Sequence, residues 1–250
     1  MADKYYAVGQ GKVYLATRDI SGQTGGFEWI GDTDGFTVNG TEENLEFQES
    51  YSGKRATVLN ITTSTNLAFS LGIRNINGDN LARAYYGTNA SGVGATVTAE
   101  AIVGYNGKMT PLKYPGVSSV VVKKGATTLV LGTDYSLDAV NGSITILAGS
   151  TEVPAGPGVA LTVDYTYAAY SSKVKGLVRD SQEYILRFEG KSQYDNKAQI
   201  ATFFRAKPGI AAALELIGTD VAVLTLEGQL LPAPEITTSG ESQYFTYVQV

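Results

Sequence analysis

Cysteine and histidine are both absent from the 250 residues. Without cysteine there is no disulfide and no thiolate metal site, so stability has to come from packing or from assembly. Without histidine the commonest general base and the commonest metal ligand are missing together. That weakens the case for a hydrolase or a metalloenzyme and leaves carboxylate chemistry as the enzymatic route still open. Long apolar runs are missing too. None approaches the ~20 residues a membrane helix needs, so no membrane anchor is expected. The start, Met1 to Tyr6, lacks the basic-then-apolar order of a secretory signal, which predicts a chain made and kept in a cytoplasm. A basic excess is also lacking: the net charge of −5 argues against attractive phosphate binding, because nucleic-acid binders present a basic patch that releases counterions.

What the chain does have is glycine, tyrosine and threonine between short, regularly punctuated apolar runs. That is the pattern of many strands joined by turns, with little helical periodicity. The stretch from Phe36 to Gly87 is the most informative. It reads as a strand at Phe36 to Asn39, a polar excursion from Gly40 to Arg55, a long strand from Ala56 towards Ile73 and a short helix. In the helix Asp79 serves as the N-terminal cap, Leu81 and Tyr85 lie one turn apart, and Gly87 supplies a left-handed stop. Within the long strand, Leu59, Ile61, Leu67, Phe69, Leu71 and Ile73 share one parity and Asn60, Thr62, Ser64, Asn66 and Ser70 the other. A side-chain period of two turns this into one apolar and one small-polar face. The excursion is far longer than the hairpin turns of about two to five residues that compact sheets prefer, so it is expected to have a role beyond closing a turn. Its acids come first, at Glu42, Glu43, Glu46 and Glu49, and its bases last, at Lys54 and Arg55. Leu45 and Phe47 add an apolar stripe, so the segment is expected to dock onto something.

Around this stretch, a polar and aromatic arm (Met1 to Gly11) leads into an opening strand at Lys12 to Arg18, and Trp29 is expected in the core. Thr88 to Gly94 reads as a flexible boundary. Beyond it, strands are expected at Thr96 to Val103, Ser119 to Lys123, Thr127 to Leu131, Ser143 to Leu147 and Val159 to Tyr167, with a tight hairpin at Asn141-Gly142. Asp134, Asp138 and Asp164 lack the dense spacing of a calcium loop and read as turn-forming acids. From Asp180 the main pattern returns: Tyr184, Leu186 and Phe188 alternate with Glu183, Ile185, Arg187 and Glu189. Ile210 to Ile217 is open to either a helical turn or a buried strand. A last strand runs from Gln243 to Val250.

The order of these parts resembles the major tail tube proteins of long-tailed, siphovirus-like bacteriophages. The resemblance is carried by Ala16-Thr17-Arg18, Phe36, Asn39-Gly40, the acidic excursion, Thr57 to Thr63, the helix Asp79 to Gly87, the close Val223 to Leu231, and Ser242 to Val248. It covers residues 1 to about 90 and 175 to 250. The fold class it implies is mainly β: a β-sandwich or tube-forming sheet with one short flanking α-helix, plus an inserted β-rich module. The domains follow as 1–94 for the first part of a tail-tube core, 95–170 for the insertion on the outer surface, and 171–250 for the second part of the core. The resemblance further implies hexameric rings stacked into a tube, with the long loop and the terminal arms joining ring to ring. A tape measure protein and tail terminator and tail tip proteins are the implied partners, and DNA passes through without specific binding. Inter-ring contacts then fall to Glu42, Glu43, Leu45, Glu46, Phe47, Glu49, Lys54 and Arg55. The lumen-facing candidates are Asn60, Thr62 and Ser64, or Glu183, Arg187 and Glu189. Six copies at −5 each make roughly −30 per ring, a wall that repels DNA phosphates. No cofactor is implied, and the expected location is the virion, after assembly in the host cytoplasm.

Two other readings compete. Tyrosine-rich strands can stack sugars, which makes a carbohydrate-binding or adhesin-like β-sandwich the alternative. A glycosidase using Glu183 and Glu189 fits poorly, because these lie about 20 Å apart along one strand face at ~3.3 Å per residue. That chemistry needs roughly 5 to 9.5 Å.

Overall fold

A computed structural model describes residues 9–194 and 196–250 of the chain. The expected N-terminal arm lies outside the described residues as far as residue 8. In chain order the elements are β1 (Gly9–Asp19), β2 (Gly22–Gln23), β3 (Glu28–Trp29), β4 (Thr33–Gln48), β5 (Thr57–Ile73), α1 (Gly78–Ala84), β6 (Thr88–Gly92), β7 (Ala95–Gly104) and β8 (Met109–Pro111). They continue as β9 (Val117–Lys124), β10 (Thr127–Thr128), β11 (Tyr135–Asp138), β12 (Ser143–Ile146), β13 (Val159–Tyr167), β14 (Tyr170–Lys175), β15 (Tyr184–Ser192), β16 (Ala198–Pro208), β17 (Leu224–Leu230) and β18 (Phe245–Gln249). The protein is mainly β with one short helix. It divides into two compact units, Met1–Asn89 with Val174–Val250, and Ala90–Lys173. The boundaries expected at 94 and 170 therefore fall at 89 and 173.

The first unit is built on one sheet, ordered β2-β1-β15-β16-β17-β5-β4, with β18 also paired to β16 and β3 to β1. Val13 and Leu15 of β1 share a buried cluster with Phe69, Leu71 and Ile73 of β5, although β15, β16 and β17 lie between those strands in the sheet. One continuous sheet therefore curls onto itself around the core. Alternation decides who enters it. In β15, Tyr184 and Leu186 point in, as the sequence pattern predicts, and Arg187 and Glu189 point out.

Helix α1 packs Ala84 into the same core. Its cap is Asn77, whose side chain accepts from the Asn80 amide at 2.8 Å, and Asp79 sits inside the first turn, not at the cap. An asparagine preceding the turn holds the same free N–H that the acid was expected to take. Asn80 is itself buried, and its Nδ2 donates to the carbonyls of Ile30 and Asn75, both at 2.8 Å. The left-handed residue after the helix is Tyr86 (φ 47°), not Gly87. Gly87 serves a different need: a β-carbon there would meet the Lys175 carbonyl oxygen at 2.5 Å.

Three further expectations change. Trp29 is 47% exposed, because β3 alternates Trp29 outwards and its neighbour Ile30 into the core. Trp29 stands opposite Tyr14 of β1, with the Lys12 ammonium 5.0 Å from its ring centre. Ile210 to Ile217 is neither helix nor strand, and Leu216 and Ile217 are exposed. The strand expected at Thr127 to Leu131 stops at Thr128.

The second unit has its own core, in which Val122, Ile144, Ile146, Val163 and Tyr165 meet between the sheets β10-β9-β13-β7 and β11-β12-β8. The Asn141-Gly142 hairpin is present, but Asp138 pairs with Ser143, so four residues form the loop. β7 and β9 each carry one extra residue against β13, and these bulges place Ala99 and Ser119 at φ 53° each. Asp164 holds this region by accepting from the Ala99 amide at 2.7 Å and from Lys123 Nζ at 2.8 Å. Asp134 accepts from the Ser150 hydroxyl and the Val130 amide, and Asp138 from the amides of Val140 and Asn141.

The Gly87 contact generates a prediction. Gly87→Ala forces the backbone at Lys175 to move and is expected to destabilise the first unit by about 2 kcal/mol or more, read as a lower denaturation midpoint at unchanged slope.

Candidate functional site

β4 and β5 are the longest strands of the chain, and they pair almost throughout, from Thr33 opposite Ile73 to Gln48 opposite Thr57. The polar excursion expected from Gly40 to Arg55 is thus mostly strand, and only a short turn at the tip remains outside it. Leu45 and Phe47 already alternate with Asn44, Glu46 and Gln48, and the cross-strand partner is what turns that alternation into a strand. β17 accompanies β5 from Ile73 only as far as Leu67. Beyond that point β4 and β5 project as a two-stranded arm.

A register shift divides the arm. Glu43 stands opposite Ser64 and Asn44 opposite Thr62, so Thr63 is an extra residue in β5. Its hydroxyl donates to the Glu43 carbonyl at 3.0 Å. β4 has no insertion here and keeps its alternation. Phe36 and Val38, which pack against the core, therefore face one side, and Leu45 and Phe47 face the other. Leu45 pairs with Ile61 and Phe47 with Leu59, so four apolar side chains collect on the face turned away from the core side. They are 58%, 60%, 46% and 48% exposed for Leu45, Phe47, Leu59 and Ile61.

This overturns the single apolar face expected along β5. Leu59 and Ile61 belong to a different face from Leu67, Phe69 and Leu71. The lumen-facing trio is divided in the same way: Asn60 and Thr62 lie with Asn44 and Glu46, whereas Ser64 lies across from them and donates to Glu43 at 3.1 Å. Asn60 donates to Glu46 at 3.3 Å. Of the expected docking acids, Glu42, Glu43 and Glu46 are exposed on the arm. Glu49 is not: it is 6% exposed and takes the Ser52 hydroxyl, so it closes the turn and is withheld from a partner. Lys54 and Arg55 lie exposed at the tip. The sequence does carry a signal for the break, since four hydroxyl residues, Thr62 to Thr65, interrupt the apolar alternation between Ile61 and Leu67.

The other candidate face, on β15, is ion-paired and not a bare acidic surface. Glu183, just before the strand, is held by Arg205 through two contacts of 2.8 Å. That guanidinium keeps its carboxyl below the usual carboxylate range. Arg187 pairs with Glu189 at 2.6 Å and reaches the Thr202 hydroxyl at 3.2 Å. Buried Ile185 separates the two pairs, and nearby Arg18, with a fully buried side chain, grips both oxygens of Glu235 at 2.9 and 3.0 Å. Each glutamate on this face is matched by an arginine, so the anionic wall expected of it is not present here.

Among the described residues no group of three or more acids gathers in a way that could hold a metal, and no helix is long and apolar enough to cross a membrane. The arrangement is that of a mainly-β chain whose distinctive surface is an apolar hairpin arm. The chain belongs to the family described as Protein of unknown function UCP028589, whose model matches residues 6–248. No curated protein matches it.

Glu183→Gln is expected to cost about 2 kcal/mol at neutral pH, the usual loss for a hydrogen bond to a charged group. The carboxyl is depressed in the folded state, so its stabilisation is full above the unfolded carboxyl's pKa and disappears as pH falls through the folded value. Denaturation midpoints across pH 2 to 7 should show that acid-side decline in the natural chain and a shallower one in the variant.

Proposed function

We propose that this chain is a structural subunit that assembles with copies of itself into the tube of a bacteriophage tail, as stacked hexameric rings that conduct DNA into the host. The observation that carries the reading is the projecting arm with four partly exposed apolar side chains on one face. A lone two-stranded ribbon is marginal in water, and an apolar face on it is a liability unless a partner covers it. The ring number, the stacking, the virion location and the tape measure, terminator and tip partners come from the family resemblance. DNA passes without being gripped.

The energetics fit an assembly and not a pair. Covering the rest of four half-exposed side chains is worth roughly 1 kcal/mol each. Association costs at least about 4 kcal/mol in lost freedom. One arm contact therefore barely holds two subunits, whereas a subunit that both gives and receives an arm, and touches lateral neighbours, is held several times over. The second unit, with its separate core, is proposed to sit on the outside of the tube, where an insertion between surface ends is tolerated.

Carbohydrate binding by the second unit draws on a cluster in which Tyr114 and Tyr167 stack at 3.9 Å and Tyr170 lies 6.4 Å from Tyr114. Lys113 and Lys173 also sit over the Tyr114 ring, at 5.5 and 5.3 Å. Ring faces already occupied by one another and by ammonium groups are poor platforms for a sugar, so this reading ranks second.

Glu43 and Ser64 face each other, so residues 43–64 can be replaced by a two-residue Asn-Gly turn that leaves the base of the hairpin paired. Electron microscopy of the natural chain should show rings or tubes. The shortened chain should keep its fold by circular dichroism and form no long tubes. Tubes of normal length from the shortened chain would refute the role assigned to the arm.

A further inference from the structure

A cleft of about 1970 Å3 in the first unit is floored by Val13, Phe36, Val38, Phe188 and Phe203 and also lined by the half-exposed Trp29. Small-molecule pockets occupy roughly 300–1,000 Å3. This cleft is larger, and its apolar floor suits a polypeptide segment. We propose that it is the receptor for the hairpin arm of a second copy of this chain. The proposal rests on the self-assembly reading above and adds the surface that receives the arm.

A chain cannot fill its own cleft in this way. Phe36 and Val38 line the cleft from the base of β4, and Leu45 and Phe47 leave the same strand on its opposite face. Bringing them round would require breaking β4 from β5. The arm of another copy meets no such restriction, and its four apolar side chains match the cleft's floor in character. Charge agrees. The arm carries three exposed carboxylates, Glu42, Glu43 and Glu46, against Lys54 and Arg55 at its tip. At the cleft, Asp34 is neutralised by Arg74 and Glu189 by Arg187, while Lys12, Lys191 and Asp32 make no ion pair among the described residues, so the lysines outnumber the remaining acid. Because arm and cleft are different surfaces of one chain, the contact is head-to-tail and propagates from copy to copy without saturating in a dimer.

Trp29 is the chain's single tryptophan, lines the cleft and is half-exposed, so its fluorescence reports occupancy directly. In the full-length chain, acrylamide quenching of Trp29 is expected to fall at least twofold in the sedimentable assembly relative to the protomer, with emission shifted to the blue. Phe47→Glu and Ile61→Glu should remain unassembled with protomer-like quenching. Their thermal transitions should be unchanged, since both side chains lie outside the core. Assemblies whose Trp29 stays as accessible as in the protomer would overturn the cleft as receptor and leave the tube reading standing. So would a Phe47→Cys chain that links to itself in the assembly, which would mean arm packed on arm; the lack of native cysteine makes that result unambiguous. Failure of the full-length chain to assemble at any concentration would overturn both.

Discussion

Thr63 adds one residue to β5 and none to β4, and that single insertion sends the two halves of the longest hairpin to different partners. Below it, Phe36, Val38, Leu67 and Phe69 join the core. Above it, the apolar side chains leave that side and face solvent. Strand pairing makes the switch all-or-none, because side chains alternate with a period of two and a one-residue change in register exchanges the faces. Without the insertion, Leu59 and Ile61 would continue the core-facing row, and Leu45 and Phe47 would stand alone on the other face with no apolar partners across the hairpin.

The remainder of the first unit serves to hold that hairpin at a fixed place. β17 pairs with β5 only along its lower half, so the sheet ends where the arm begins. The curl of the sheet brings β1 and β5 into one core, and two partly buried ion pairs hold the closing segment: Arg18 grips Glu235, and Arg205, paired with Glu183, also donates to the Pro232 carbonyl at 3.2 Å. Buried pairs of this kind add little net stability over apolar packing, but removing one partner is costly. They therefore specify where residues 231–243 lie more than they strengthen the fold.

In the proposed assembly each arm contact is weak, so no single contact commits a chain to assembling. The four half-exposed side chains span only two strands and are bounded on their own face by Glu43 and Ser64, so the apolar patch stays small. A contact worth roughly the cost of association favours assembly only when many are made together. Such a system has a threshold concentration and grows by addition to existing ends.

Much of the architecture follows from local pattern. The absence of cysteine and histidine, the many short strands, β13 from Val159 to Tyr167, the inward row of Tyr184, Leu186 and Phe188, and the separate module in the middle are all legible in the residues, because alternation and turn chemistry act over a few neighbours. Asp79 and Gly87 depart from the expected roles for a local reason, since Asn77 and Tyr86 meet the same backbone needs. The other differences are long-range. Charged residues between Gly40 and Arg55 read as a loop, and only pairing with a distant strand makes them β structure. Trp29 is placed outside by its position opposite Tyr14, and Glu183 is neutralised by an arginine of the neighbouring strand, whereas Glu189 is matched by Arg187 on its own strand. In the case of Glu183 the arginine lies 22 residues away. What the sequence by itself determined is which residues alternate and where turns are possible. Which face each row presents was decided by register between strands, a property of pairs of segments that neither one carries alone.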